Sequence, residues 1–193
     1  MTRYESLWSP WDGNGMEHLR LTVDATRIVA DGMVIGVAAE KPFRLRYQII
    51  CDLNWEVRHL EVNVLSSFRR MKLEADGRGG WQTAGGVAFE TLNGCVDVDL
   101  SITPLTNTLP IRRLSLQPGK RTEILVVYIT LPELEVRPAR QWYTYLGEQE
   151  GLRRFQYEDE SFGGFKAVIS VDEHGLVTEY PDLFRRVWFG KRD

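Results

Sequence analysis

The sequence lacks the segments that carry a chain across or into a membrane. Its first residues, Met1 to Trp8, contain no apolar core of a signal peptide. No stretch approaches the roughly 18 apolar residues that a membrane-spanning helix requires. We therefore expect a cytoplasmic protein without a transmembrane segment.

Cysteine and histidine, the usual ligands of zinc, are both scarce. Cys51 and Cys95 lie far apart, and neither belongs to a CxxC pair. His18, His59 and His174 are equally isolated, and none stands in an HxxxH or HExxH spacing. We expect no cofactor, no tightly bound divalent ion, and two buried thiols that stay reduced.

An excess of positive charge is also missing. The chain has 24 Lys and Arg against 27 Asp and Glu, for a net charge of -3, so we expect no nucleic-acid partner. Among the basic residues, 19 are Arg and 5 are Lys. This bias reflects either a GC-rich genome or guanidinium groups that bind carboxylate or phosphate in a bidentate manner. The oligomeric state stays open.

Alternating apolar and polar residues fill the chain from end to end. Leu19, Leu21 and Val23 share one strand face, and many later segments repeat that period of two. The stretch Ile124 to Leu131 is apolar on both parities, which predicts a central strand covered on both sides. At least ten such segments, within a length of 193 residues, predict one all-β domain over residues 1–193, folded as a barrel, roll or sandwich.

Several local signals refine this interpretation. Asp31-Gly32 predicts a hairpin turn between two short apolar runs. Arg58 shares strand parity with the apolar residues after it, so it lies partly inside unless a bulge occurs near His59. Few short helical turns are expected, near Pro104 to Leu109 and near Pro181 to Val187.

Candidate site residues begin with the pair Asp97 and Asp99. On a regular strand the two carboxylates share one face and suit a divalent ion, although an exposed polar face gives the same pattern. The next segment holds Thr106, Asn107 and Thr108 between two prolines, and it predicts a stiff loop outside the sheet. The segment ends shortly before Arg112 and Arg113. Their guanidinium groups suit either a sugar or phosphate ligand or an internal clamp on the two aspartates.

Three stretches resemble a known bacterial family. They are Tyr47 to Arg58, Asp97 to Leu114 with its Thr-Asn-Thr-Leu-Pro-Ile-Arg-Arg string, and Tyr180 to Arg186. Their order and spacing, from about Trp8 to Val187, resemble the putative glycolipid-binding family. The resemblance implies an antiparallel sheet curled into a spiral β-roll or open barrel, similar in outline to the half-barrels that carry bacterial lipoproteins.

We expect this roll to hold an amphiphilic small molecule, a glycolipid or lipid, with apolar side chains around the acyl part. The following residues would either contact the head group or brace the wall near it: Arg58, Asp97, Asp99, Thr106, Asn107, Thr108, Arg112, Arg113, Trp55 and Tyr143. A buried guanidinium keeps its charge, so at least one of these three Arg residues should pair with one of the two Asp residues. The alternatives are a hydrolase or isomerase that uses Asp97 or Asp99, and a non-catalytic protein-interaction module.

Overall fold

The computed structural model describes residues 1–192, and within them fourteen strands form one sheet. Strands hold 61% of the residues and helices 8%, which confirms the all-β prediction. In chain order the strands are β1 (Thr2–Pro10), β2 (Gly15–Val23), β3 (Ile28–Ala38), β4 (Lys41–Cys51), β5 (Val57–Val64), β6 (Arg69–Ala75), β7 (Trp81–Thr83), β8 (Asp97–Leu100), β9 (Arg121–Thr130), β10 (Glu135–Gln149), β11 (Leu152–Asp159), β12 (Phe165–Val171), β13 (Val177–Tyr180) and β14 (Phe184–Arg192). The helical elements are α1 (Thr108–Arg113) and 3-10 turns at Glu90–Leu92, Pro104–Asn107 and Glu160–Phe162.

The order of the strands follows the chain in two halves. It runs β7-β6-β5-β4-β3-β2-β1-β14-β13-β12-β11-β10-β9-β8, and the terminal strands β1 and β14 join the halves. All neighbours are antiparallel except β8 and β9, which pair in parallel, so the sheet is mixed. Its two edges are linked by hydrogen bonds outside the strand pairing: Trp81 Nε1 donates to the Cys95 carbonyl at 2.7 Å, and the Gly94 amide donates to the Gly79 carbonyl at 2.9 Å. The sheet thus curls without closing.

The interior of the curled sheet contains a segment of the chain. Residues 103–111 are all buried, and we call this segment the plug. Thr103 begins it as an N-cap, since its side chain accepts a hydrogen bond from the Leu105 amide. The predicted stiff segment therefore does leave the sheet, and it lies buried in the core. The predicted helical turn near Pro104 is confirmed, whereas the one near Pro181 is wrong, because β14 begins at Phe184.

The predicted hairpin turn at Asp31-Gly32 is wrong. Both residues lie in the middle of β3, paired with Arg20 and Leu19 on one side. A Cβ on Gly32 would lie 2.1 Å from the Tyr47 ring, so glycine is needed there to admit the ring rather than to turn the chain.

A bulge explains why Arg58 has the same strand parity as the apolar residues after it without pairing as they do. The pairing of β4 with β5 shifts between Ile50 and Cys51, which leaves Arg58 unpaired in the ladder. Its guanidinium then turns to the preceding loop, where Nη2 donates to Asp52 at 2.6 Å and to Glu56 at 2.9 Å. The bulge that the sequence allowed near His59 is confirmed, and it leaves the Arg58 side chain 38% exposed. The predicted strand at Ile124 to Leu131 is confirmed as covered on both faces by the buried residues of β9.

Both cysteines are buried and unpaired. Burial raises the pKa of Cys95 to about 11 and that of Cys51 further. We expect neither thiol of the native protein to react with Ellman's reagent near pH 8, because the reactive thiolate is suppressed. Denatured, unreduced protein should give two thiols, and a count of zero would contradict the assignment.

Candidate functional site

Asp97 and Arg113 form a bidentate ion pair inside the wall of the roll. Arg113 Nε donates to Asp97 Oδ1 at 3.1 Å, and Nη2 donates to Oδ2 at 2.6 Å. The Asp97 side chain is fully buried and that of Arg113 is 18% exposed. Burial raises the pKa of Asp97, and the guanidinium offsets part of that rise. The predicted Arg–Asp pairing is confirmed, and the exposed polar face considered for this strand is wrong.

Asp99 lies at the centre of a separate buried network. Thr106 Oγ1 donates to its Oδ1 at 3.1 Å, and Gln141 Nε2 donates to its Oδ2 at 2.6 Å. The same amide nitrogen reaches Asp159 at 3.1 Å, and the Tyr157 hydroxyl donates to Asp159 at 3.2 Å. Burial raises the pKa of Asp99, and the charge of Asp159 adds to the effect. Two carboxylates are therefore held close together by one amide.

Asn107 and Thr108 anchor the plug to the surrounding sheet. The Tyr143 hydroxyl donates to Asn107 Oδ1 at 2.8 Å, and Thr108 Oγ1 donates to the Gly175 carbonyl at 2.8 Å. The Tyr143 ring also contacts Tyr157 edge to face, with ring centroids 5.4 Å apart. Thr106, Thr108 and Tyr143 thus brace the wall of the site from inside the core.

A cavity of about 310 Å³ lies beside the Asp99 network, and we call it the aromatic pocket. Its polar lining is provided by Asp99, Ser101, Thr103 and Asn107. Its ring lining is provided by the following residues: Tyr128, Tyr157, Phe165, Tyr180 and Phe184. A lining that combines hydrogen-bonding groups with aromatic rings is the composition that positions a small polar ligand.

A second cavity, of about 260 Å³, lies between β2, β3 and the turn before β14, and we call it the apolar cleft. Its apolar lining includes Trp8, Trp11, Met16, Val34, Phe43 and Ile102. Ser101, Leu183 and Phe184 line both cavities, so the two are adjacent. An apolar cleft thus adjoins a pocket with polar and aromatic lining.

The charges along the two cavities have one sign. Asp12, Glu17 and Asp182 line the apolar cleft, and Asp99 lines the aromatic pocket. None of the described residues that line either cavity is Lys or Arg. A ligand carrying phosphate or carboxylate would meet like charge in both places.

Arg112 and Trp55 lie elsewhere, toward the other end of β2. The Arg112 guanidinium stacks on the Trp55 ring at 5.3 Å, and both line a smaller cleft of about 200 Å³ with Leu21 and Val23. Burial and the positive charge of Arg153 lower the pKa of Arg112. The sequence-predicted set is thus divided: Asp99 and Asn107 line the aromatic pocket, Asp97, Arg113, Thr106, Thr108 and Tyr143 brace the structure, and Arg58, Arg112 and Trp55 lie outside both cavities.

Several residues of the cavities were missed by the sequence analysis. Glu17 has the parity of Leu19, Leu21 and Val23, so a charged residue on an apolar strand face was a readable signal. Tyr180 belongs to one of the three stretches that resemble the family, but the sequence assigned no role to it. Other cavity and network residues gave no local signal: Tyr128, Gln141, Tyr157, Asp159 and Phe165.

Metal and membrane features are not found in the part of the chain that the structure describes. Across residues 1–192, no group of three or more His, Cys, Asp or Glu side chains is placed to hold a metal ion. No helix among the same residues is long and apolar enough to span a bilayer.

Comparison with known proteins places the chain in a family. The model of the family described as "Putative glycolipid-binding" matches residues 5–186, and the chain belongs to that family. A crystal structure of a DUF1089 family protein from Pseudomonas aeruginosa is similar, with 38% sequence identity and a TM-score of 0.79. The similarity covers 90% of this chain and 92% of that one. None of the curated proteins matches the chain.

Proposed function

We propose that the two adjacent cavities bind one amphiphile with an uncharged sugar head, a glycolipid. The observation that carries this proposal is the shared lining of Ser101, Leu183 and Phe184, which places an apolar cleft beside a pocket with polar and aromatic lining. The name of the family points to the same class of ligand.

The aromatic pocket suits the sugar. Asp99 and Asn107 supply oxygen acceptors for hydroxyl groups, and the Tyr157 and Tyr180 rings meet edge to face at 6.0 Å, which forms a ring-lined wall. Thr106 and Gln141 hold Asp99 in place before any ligand arrives, and Asp159 in turn accepts a hydrogen bond from Gln141. A pocket ordered in advance loses little conformational entropy on binding.

The apolar cleft suits the chain of the ligand. Each buried methylene contributes about 0.8 kcal/mol, so a chain of several carbons provides most of the affinity. The carboxylates in both cavities disfavour an anionic head, which separates this proposal from binding of fatty acids or phospholipids. Arg113 pairs with Asp97, Arg58 pairs with Asp52, and Arg112 lines a separate cleft, so none of these three cations favours an anionic head in the two cavities.

A titration with matched eight-carbon probes tests the proposal. Octyl β-glucoside, kept below its micelle concentration, should bind at least about tenfold more tightly than octanoate, because the anion meets like charge. Tryptophan fluorescence can report binding, since Trp8 and Trp11 line the cleft. Equal affinity for both probes, or no binding of the glucoside, would contradict the proposal.

Leu183 provides a sharper test, because it lines both cavities and is 38% exposed, so the fold tolerates a change there. Leu183→Asp should weaken octyl β-glucoside binding by about tenfold or more, through loss of apolar contact at the junction. Leu146→Asp is the matched control, since Leu146 is also exposed and lies in β10. Unchanged affinity in the Leu183 variant would place the ligand elsewhere.

A second candidate function is hydrolysis or isomerisation in the aromatic pocket. It is favoured by two carboxylates held close together, Asp99 and Asp159, beside the Tyr157 hydroxyl. Burial raises the pKa of Asp99, and an acid with a raised pKa can serve in proton transfer. Nitrophenyl glycosides and esters provide the assay. Turnover that Asp99→Asn abolishes would support an enzyme, and absence of turnover in the wild type on these substrates would count against a hydrolase.

A further inference from the structure

The carboxyl group of Glu17 is an unusual feature of the apolar cleft. Glu17 is 2% exposed, and its Oε1 accepts a hydrogen bond from the Tyr47 hydroxyl. Its Oε2 is fully buried and has no hydrogen-bond partner among the described residues. Glu17 nevertheless belongs to the lining of the apolar cleft, so this unpartnered acceptor lies in the wall of a cavity.

A purely structural role explains Glu17 poorly. Its neighbours of the same parity, Leu19 and Leu21, are fully buried apolar residues that continue the core. A leucine at position 17 would extend that face, whereas a buried acceptor without a partner destabilises the fold. A single hydrogen bond from Tyr47 satisfies only one of the two carboxylate oxygens.

We propose that Glu17 Oε2 accepts a hydrogen bond from a hydroxyl or amine group of an amphiphile bound in the apolar cleft. This inference rests on the proposed occupation of that cleft and specifies its ligand further. The ligand class is an apolar chain that carries an O–H or N–H donor, and Asp12 and Asp182 in the same lining disfavour a carboxylate there.

The test compares wild type with Glu17→Gln, which keeps the shape of the side chain and removes its charge. The probes are 1-octanol and octylamine as donors and octane-1-sulfonate as a matched anion, followed by ligand-observed NMR at pH 8. Wild type should bind both donor probes, and the variant should bind them about tenfold more weakly, because the charged acceptor is replaced by a neutral amide. Octylamine should lose more than 1-octanol, since the charge attraction is lost as well.

The unliganded proteins supply a second readout. A functional Glu17 predicts that Glu17→Gln melts at or above the wild-type temperature at pH 8, because the buried charge is removed. A structural Glu17 predicts a lower melting temperature with unchanged probe affinity, and that result would overturn the inference.

The outcomes separate this inference from the proposed function. Donor probes that bind wild type and variant equally would overturn the role of Glu17 and leave the cleft as a binding site. Failure of the donor probes and of octyl β-glucoside to bind either protein would overturn both. Tighter binding of the sulfonate than of the donors by wild type would also overturn the inference, because the cleft would then select anions.

Discussion

Asp97→Ala should lower the free energy of unfolding by roughly 3–5 kcal/mol, the usual effect of removing one partner of a buried ion pair. The Asp97 carboxylate is fully buried and receives two hydrogen bonds from Arg113. Its removal leaves a guanidinium that cannot lose its proton in the wall of the roll. Urea denaturation of wild type and variant gives the change in the free energy of unfolding, provided that this free energy depends on urea concentration with the same slope in both proteins.

A double variant distinguishes the ion pair from simple loss of packing. Asp97→Leu combined with Arg113→Met removes both charges, and it should recover much of the stability that Asp97→Ala loses. The Arg113 side chain is 18% exposed, so water can reach part of it and the loss should lie nearer 3 than 5 kcal/mol. A loss below about 1 kcal/mol for Asp97→Ala would show that this pair contributes little.

Glu17→Gln should make the protein more stable than wild type above pH 7, by about 3 kcal/mol. Burial raises the pKa of Glu17 from 4.5 to about 7, and the hydrogen bond from Tyr47 offsets only part of the rise. The folded state therefore binds more protons than the unfolded chain between these two values. The contribution of Glu17 to the wild-type free energy of unfolding is fully present below pH 4.5 and is lost as the pH rises through 7.

The measurement is chemical denaturation of both proteins at several pH values between 4 and 8. Burial also raises the pKa of Asp99, so Asp99 adds to the pH dependence of the wild-type unfolding free energy in the same direction. Only the difference between the two proteins reports on Glu17. Asp12 and Asp182 line the same cleft and are present in both proteins. A difference that stays constant across the range would contradict a raised pKa for Glu17.

The local pattern of apolar and polar residues predicted most of the strands. Alternation marks a strand buried on one face, and a run of apolar residues on both parities marks a strand buried on both faces. It failed where a residue served a distant contact. Asp31-Gly32 has the composition of a turn, yet Gly32 lies within β3 to admit the Tyr47 ring. The turn that follows β3 is formed instead by Ala39 and Glu40, both at positive φ, where no glycine marks it.

The site was predictable only in part, for a related reason. The Asp97–Arg113 pair followed from the need of a buried guanidinium for an acid, together with the short distance between the two segments in sequence. The cavities follow from contacts between strands far apart in the chain, such as Glu17 in β2 and Leu183 before β14. No local pattern carries that information, so the sequence predicted the plug as a stiff loop outside the sheet but neither its burial nor the two cavities.

A crystal structure of the protein soaked with octyl β-glucoside tests the binding of a glycolipid in the two cavities most directly. We expect the sugar ring in the aromatic pocket beside Tyr180, within hydrogen-bond distance of Asp99 or Asn107. We expect the alkyl chain to pass Leu183 into the apolar cleft toward Glu17. Density for the glucoside in the cleft of Arg112 and Trp55, with both expected cavities empty, would contradict glycolipid binding at this site.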